Sequence, residues 1–554
     1  MEENLSSSTT SPRGARPSYP KRIKLKRSKQ ITLPTMADRM QKFKTTDSRA
    51  LHINKLVAEM ICLDIQPLSV VENKGFRRLL NYLEPRYTIP TRKTFTNKIL
   101  VEMYEETMKK VQAEMMEVES VAITTDMWTN VAQVDFMAIT AHFFSNNARF
   151  HRCLEVVPFP EVSHTGTNLL TFLIKVLDQW SIKQKVVAVV RDNGPDITCA
   201  LNLSEFTAIP CVAHTLQLVI KDGFFNNARI SNVVTKCKKI VGSFKHSAKN
   251  TKLLKSYQAQ LGVPSHKLIQ DEPTRWNSTF YMLKRLHEQK QALILVGSNP
   301  ETKLSTEITN EDWKTIEYAV DILEIFENAT LQLSKETSTI SEIIPMIHTI
   351  QHVLETRAPQ GSGLQGLKND LLASLKRRFM DMEENRTYAC ATLLDPRFKS
   401  TPFKKKDNFE MAKIHVLEEM KTFSTPTSEA APPPAPQEDT QLKRKGFWAQ
   451  YMEAFGQEEH TGDGDQEKSL ESEVNAYLNE KTFDPKQGQK IAEYWSVSSH
   501  KHLRKLAYKY LCMPPCTTFS ERLFSVAGNI SDTKRNRLDP DRVKMLVFLN
   551  RNLE

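Results

Sequence analysis

The chain has 554 residues, 40% of them hydrophobic and 25% charged, and a formal net charge of +11. That length supports several domains with a sizeable core, while no run of about 18 apolar residues offers a membrane span and no apolar leader region predicts secretion. The eight cysteines form no C-x-x-C pair, which argues against an ordinary zinc finger or a disulfide scaffold and suits reduced thiols in a cytosolic or nuclear protein.

Taken in chain order, residues 1–48 read as a polar, basic, disordered tail. Residues 1–45 hold 11 Lys/Arg against 3 Asp/Glu, so most of the excess charge lies there. Within it, "PKRIKLKRSKQ" places Lys21, Arg22, Lys24, Lys26 and Arg27 together. Such a run serves as a nuclear address or a nucleic-acid-binding arm, or is simply a solvated terminus. Residues 49–118 carry apolar residues at helical spacing in "ALHINKLVAEMICLD" and "TRKTFTNKILVEMYEETMKKVQAEM", with a two-proline break between them.

From Glu119 the texture changes. "VAITTDMWT" and "DFMAITAHFF" are rich in β-branched and aromatic residues and read as a hairpin, with "RCLEVVPFPEV" as a third strand. "TGTNLLTFLIKVLDQW" has helical periodicity and is followed by the strand "KVVAVV". A helix between strands implies a crossover and at least one parallel pair. The unbroken apolar run Val186 to Val190 suits a strand covered on both faces. A mixed sheet with helices on both sides follows, and residues 215–420 read as mostly helical. Polar or proline-rich linkers are expected near 424–447 and 456–469.

The last segment is predicted to be three helices. "HLRKLAYKYL" has an apolar face, "TTFSERLFSVAG" ends at Gly528, and "DPDRVKMLVFLNRNL" starts with Asp539 as cap and Pro540 at its first position. Val543, Leu546, Val547 and Leu553 form a stripe on the last helix that covers either this chain or a partner subunit.

Asp126 sits near the end of the first strand and Asp192 just after the buried one. Asp-Asn-Gly is a common turn, and strand-end aspartates are often structural. If the two strands are parallel neighbours, however, both carboxylates emerge at the sheet end where α/β folds place ligands. Paired acids repel unless a cation lies between them, and Mg²⁺ suits such a site. A third acid cannot be located by spacing.

Six motifs in this order, "ITTDMWT", "VRDNGPDI", "CVAHTLQL", "DEPTRWNST", "LLDPRFK" and "FSERLFSVAGNISDTKRNRL", resemble the hAT superfamily of DNA transposases and the domesticated BED-finger proteins derived from them. The resemblance covers about Leu51 to Glu554. It implies an α/β mixed sheet, an RNase H-like core interrupted by a large all-α insertion, with helical N- and C-terminal regions. The expected boundaries are a basic tail at 1–48, a helical DNA-binding-associated region at 49–118, the first part of the core at 119–280, the helical insertion at 281–480 and a dimerisation region completing the core at 481–554.

The same resemblance assigns a catalytic and metal-binding triad to Asp126, Asp192 and Glu521. In active family members it binds two divalent ions, Mg²⁺ or Mn²⁺, and cuts and joins DNA. Trp276 matches an aromatic that stacks on a flipped base, as a π-face can do without reading sequence; a core tryptophan is the alternative. Arg275 beside it could meet phosphate. Cys211 and His214 match a C-x-x-H pair, for which packing and DNA positioning are favoured over metal ligation, since two ligands do not make a structural zinc site. Asp395 in "LLDPRF" reads as a structural helix end. Leu523, Phe524, Val543, Leu546 and Val547 are the expected dimerisation residues. The family's BED finger has no counterpart here.

The reading is therefore a nuclear, DNA-binding protein derived from a hAT transposase that forms a homodimer or higher homo-oligomer. An active transposase and a protein-interaction scaffold without DNA affinity are the alternatives.

Overall fold

The computed structural model describes residues 41–129, 133–159, 163–272, 275–300, 302, 304, 306–357, 364–424, 463–486, 490–530 and 539–553. Lys21, Arg22, Lys24, Lys26 and Arg27, nearly all of the expected 424–447 linker and residues 456–462 of the other lie outside these residues. The chain divides into two units, Met1–Ala58 with Leu68–Ile99, and Glu59–Pro67 with Leu100–Glu554.

In the first unit, helix α1 (Ser48–Leu63, which runs on into the second unit) and helix α2 (Lys74–Leu83) flank a short 3₁₀ turn. Tyr87 donates its hydroxyl hydrogen to Asn54 at 2.6 Å, and Arg49 pairs with Glu84 at 2.8 Å.

In the second unit, helix α3 (Leu100–Glu117) leads into a five-stranded sheet built from β1 (Val121–Thr129), β2 (Asp135–Ser145), β3 (Ala148–Pro158), β4 (Val186–Arg191) and β5 (Ala208–Pro210), in the order β3-β2-β1-β4-β5. β1–β2 and β2–β3 are antiparallel, and β1–β4 and β4–β5 are parallel. The crossover from β3 to β4 runs through α4 (Gly166–Gln179), as the helical pattern between strands predicts. β3 begins four residues earlier than the apolar pattern suggests. Asn146 and Asn147 both have positive φ, 46° and 61°, and so close a two-residue hairpin directly onto Ala148. Asparagine tolerates the left-handed region that such turns require.

The sheet is buried on both faces, its side chains alternating along β1, while a bulge in β4 opposite Val121 and Ala122 turns both Val187 and Ala188 to the same core. Val121, Ile123 and Val189 point into one core with Leu169 and Leu173 of α4 and Ile197 of α5 (Pro195–Asn202). Ala122, Ala188 and Val190 point into a second core, shared with α6 (Val212–Ile220) and a long run of helices. That run includes α7 (Trp276–Glu288), α8 (Asn310–Leu333), α9 (Ile343–Thr356), α10 (Arg386–Leu394), α11 (Lys406–Ser424), α12 (Asp463–Asn479) and α13 (Lys490–Val497). The described part of the expected 456–469 linker is helical, because α12 begins at Asp463.

The C-terminal helices are α14 (Lys501–Leu511), α15 (Thr518–Ile530) and α16 (Pro540–Asn552). α16 starts as predicted, with Asp539 accepting from the backbone N–H of Asp541. Gly528 does not end α15, which continues to Ile530. A Cβ at Gly528 would lie 3.9 Å from the Trp128 ring, so this glycine lies where the helix approaches β1.

Candidate active site

Register brings the two strand acids level. Thr124 of β1 pairs with Val190 of β4 in parallel. Two residues further on, each chain reaches an aspartate, Asp126 within β1 and Asp192 one residue past the end of β4. By alternation Asp126 shares the sheet face of Ala122 and Thr124, the face covered by the helical core.

α15 seats Ser520 on the same face and brings the neighbouring Glu521 near enough to affect the charge on Asp126. Its Ser520 hydroxyl hydrogen-bonds the Thr124 hydroxyl at 2.9 Å, which in turn bonds Thr140 of β2 at 2.5 Å. Thr140 also contacts Nε2 of His142 at 2.8 Å. All four side chains are buried. Around this polar chain, Phe519 meets the His142 ring edge at 4.5 Å and Phe524 stacks on Trp128 at 5.8 Å. A serine one position before the acid thus ties its helix to the strand that carries Asp126. His142, buried beside Arg149 and His151, is held well below the usual histidine range by burial first and those charges second. The link is therefore neutral at physiological pH.

The carboxyl group of Asp126 reports the convergence. Burial first, then Asp192 and more weakly Glu521, push it up to about 8, against a lowering hydrogen bond from the Met127 N–H at 2.9 Å. Asp192 accepts from the Gly194 N–H at 3.1 Å, and a Cβ at Gly194 would crowd its carboxylate at 3.1 Å. Among the described residues no Lys, Arg or His forms an ion pair with any of the three acids. Oxygen donors of this kind suit Mg²⁺ or Mn²⁺. In the present side-chain conformations, however, no group of three or more His, Cys, Asp or Glu among the described residues is gathered closely enough to hold an ion. Glu521 is exposed, whereas Asp126 and Asp192 are half-buried.

The other expected site residues fall differently. Trp276 is only 5% exposed and packs against Phe280 in the helical core, ring centroids 6.3 Å apart. Its face is covered by its own chain, so it is not presented for base stacking in this conformation. Arg275, the residue before α7, is exposed. Cys211 is buried, and its sulfur accepts from the Thr517 N–H at 3.4 Å. Burial, with Cys516 beside it, pushes the thiol up to about 12. With the Val212 N–H bonding the Pro515 carbonyl at 3.0 Å, Cys211 helps seat the segment leading into α15. His214 is half-buried on α6.

Leu523, Phe524, Val543, Leu546 and Val547 are all buried within the single chain. α16 packs on β3 and α3, so its apolar stripe is spent on this fold rather than offered to a partner. Within the single chain these five side chains are core contacts.

Sequence reasoning missed the Thr124–Thr140–His142–Ser520 chain. Its signal was three polar residues at inward-facing positions of two otherwise apolar strands. It also missed Arg149, whose guanidinium donates to the Ser338 and Cys512 carbonyls at 2.7 and 3.0 Å and pins the approach to α15 against the sheet.

Residues 124–208 match the ZBED1 RNase-like domain, 209–322 the ZBED1 RNase-like helical domain, and 473–553 the hAT family C-terminal dimerisation region. The chain is hAT-transposase-like. It is 28% identical to the human zinc finger BED domain-containing protein 4 over 97% of this chain and 46% of that protein. It is 26% identical to human zinc finger BED domain-containing protein 6, covering 91% of this chain and 55% of the relative. It is 25% identical to the putative AC transposase of Zea mays, covering 87% and 62%. The hAT-like chain thus spans about half the length of the BED-domain relatives it matches. The matched RNase-like domain fits an RNase H-like sheet, within a molecule that is otherwise mostly helical.

Proposed function

We propose that this chain is a nuclear, DNA-binding, self-associating protein derived from a hAT transposase, with an RNase H-like core interrupted by the helical stretch between β5 and α15. The observation that supports the reading is the level placing of Asp126 and Asp192 at one sheet end, with Glu521 near enough to add to the charge on Asp126 and none of the three in an ion pair among the described residues. Asp126, Asp192 and Glu521 would hold a divalent ion once Glu521 turns inward; bound there, it supplies activation of a water or 3′-hydroxyl and stabilisation of the leaving oxygen at phosphorus. Phosphate affinity comes from the basic tail around Lys21–Arg27 and from Arg275, and should fall steeply with salt. Self-association is supported by the match to the dimerisation region, through surfaces other than the buried stripe of α16.

A second reading, an active transposase, is favoured by the retention of all three acids. The purified protein, given Mg²⁺ or Mn²⁺ and hairpin or terminal-repeat DNA, separates the two. Metal-dependent nicking that vanishes in Asp192→Asn establishes the enzyme. Salt-sensitive binding without cleavage leaves the regulatory role. Absence of DNA affinity at low salt sinks both.

A further inference from the structure

The largest cavity among those described lies away from the acids, between α8, α9 and the segments after α10 and α12. It is an open groove of about 1380 Å³, beyond the roughly 300–1,000 Å³ usual for small-molecule pockets. Its rim and floor differ in chemistry. Lys335, Lys404, Lys486 and Lys490 stand exposed around it. Among the described residues none of the four side chains is ion-paired; the Nζ atoms of Lys335 and Lys404 donate to neutral glutamine oxygens, Gln332 at 2.6 Å and Gln351 at 3.0 Å. The single carboxylate in the lining, Glu342, is already held by Arg397 at 3.0 Å. The floor is apolar, with Ile325, Met346 and Phe403 half-buried.

We propose that this groove docks an acidic, amphipathic peptide segment of a partner protein, its apolar side chains on the floor and its carboxylates against the lysine rim. The argument is charge complementarity joined to an apolar floor. A helix laid in a groove uses that combination, with anchors at i, i+3, i+4 and i+7. A nucleic-acid strand fits less well. Phosphate and sugar contacts require free donors along the track, and inside this groove Arg397 is spent on Asp395 and Glu342 and His348 on Glu383 and the Pro402 carbonyl. Stacking requires a free aromatic face; the Phe398 ring is covered by the Arg397 guanidinium 4.7 Å from its centroid, and Phe403 packs edge-on with Phe409 at 5.7 Å. The proposal goes beyond the acidic site and does not depend on it.

The test uses the full chain and a fluorescent peptide of about 20 residues, with Leu or Phe at i, i+3, i+4 and i+7 and Glu elsewhere. Binding is read by anisotropy, beside a scrambled peptide of identical composition and a single-stranded oligonucleotide as competitor. The triple variant Lys404→Glu, Lys486→Glu, Lys490→Glu alters only exposed positions, and Thr349→Trp places bulk at an exposed position on the groove wall. The expected result is binding weakened about tenfold or more by either variant and by scrambling, a loss of about 1.4 kcal/mol or more, with thermal melts unchanged. Equal affinity of the scrambled peptide, indifference to both variants, or displacement by the oligonucleotide with the same lysine dependence would each overturn the proposal.

Discussion

Asp395 and Glu342 share one guanidinium, whereas Asp126, Asp192 and Glu521 share none. In the first group, Arg397 reaches Asp395 at 2.8 Å and Glu342 at 3.0 Å, and Ser341 donates to Asp395 at 2.6 Å. Burial works against the charge on Arg397, and Asp395 and Glu342 more than offset it, so its affinity for the proton rises above the ordinary value. This group closes the end of α10 against the turn before α9 and is complete without a ligand. In the second group, burial and like charge act in the same direction, and one carboxyl is driven up to about 8. The fold acids Asp395 and Glu342 are closed by a shared ion pair, whereas Asp126, Asp192 and Glu521 have no ion pair among the described residues.

The comparison can be broken first at its structural side. Arg397→Met leaves Asp395, which is fully buried, and Glu342 without their cation. Removing one member of a buried ion group costs about 3–5 kcal/mol, so urea unfolding should show a loss of that size. A change under about 1 kcal/mol would mean the two acids find water or protons readily and the contrast fails.

Asp126→Asn should move stability the other way, on the order of a few kcal/mol. The folded carboxyl titrates near 8 against an unfolded value near 3.8. Between those values the unfolded chain has released its proton and the folded chain still holds it, so wild-type stability falls as pH rises from about 4 to 8 and levels off above. Asparagine removes that slope. The gain of the variant should be near zero below pH 4 and largest above pH 8, measured by melting in chelator. Added Mn²⁺ should raise the wild-type midpoint most at the alkaline end, where no proton competes for the site, and leave the variant unmoved. A wild-type profile that is flat across this window would show that the acids are not crowded.

How much of this was legible in the sequence follows the range of each interaction. The apolar runs of β1 and β4 and the crossover helix between them indicate the parallel pairing, but the level placing of Asp126 and Asp192 also depends on the register, which a bulge opposite Val121 and Ala122 sets. The cap of α16 was legible because Asp539 and Pro540 act within one turn. Trp276 and the stripe of α16 were not. Periodicity states that a face is apolar but not whether this chain or another covers it, and the ring of Trp276 is hidden by residues whose proximity is tertiary. The groove was invisible for the same reason: Lys335, Lys404 and Lys486 lie in three separate stretches of chain.

The smallest effect tests how Glu521 is held in the acidic group. Thr124→Val deletes a buried hydroxyl that links Ser520 to Thr140, at a cost of about 1–2 kcal/mol because two hydroxyls lose a partner. Ser520→Ala alone should cost about 1 kcal/mol, and the double variant less than the sum, since both remove the same hydrogen bond. The sharper readout is the carboxyl titration of Asp126, followed by infrared absorption. If the Thr124–Ser520 bond sets the distance of Glu521, its loss should lower the Asp126 midpoint while leaving the Asp395–Arg397 group, on other elements of the same unit, unaffected. Simple additivity, with the midpoint unchanged, would mean that the aromatic seat of Phe519 and Phe524 places α15 by itself and that the polar chain beneath it only fills space.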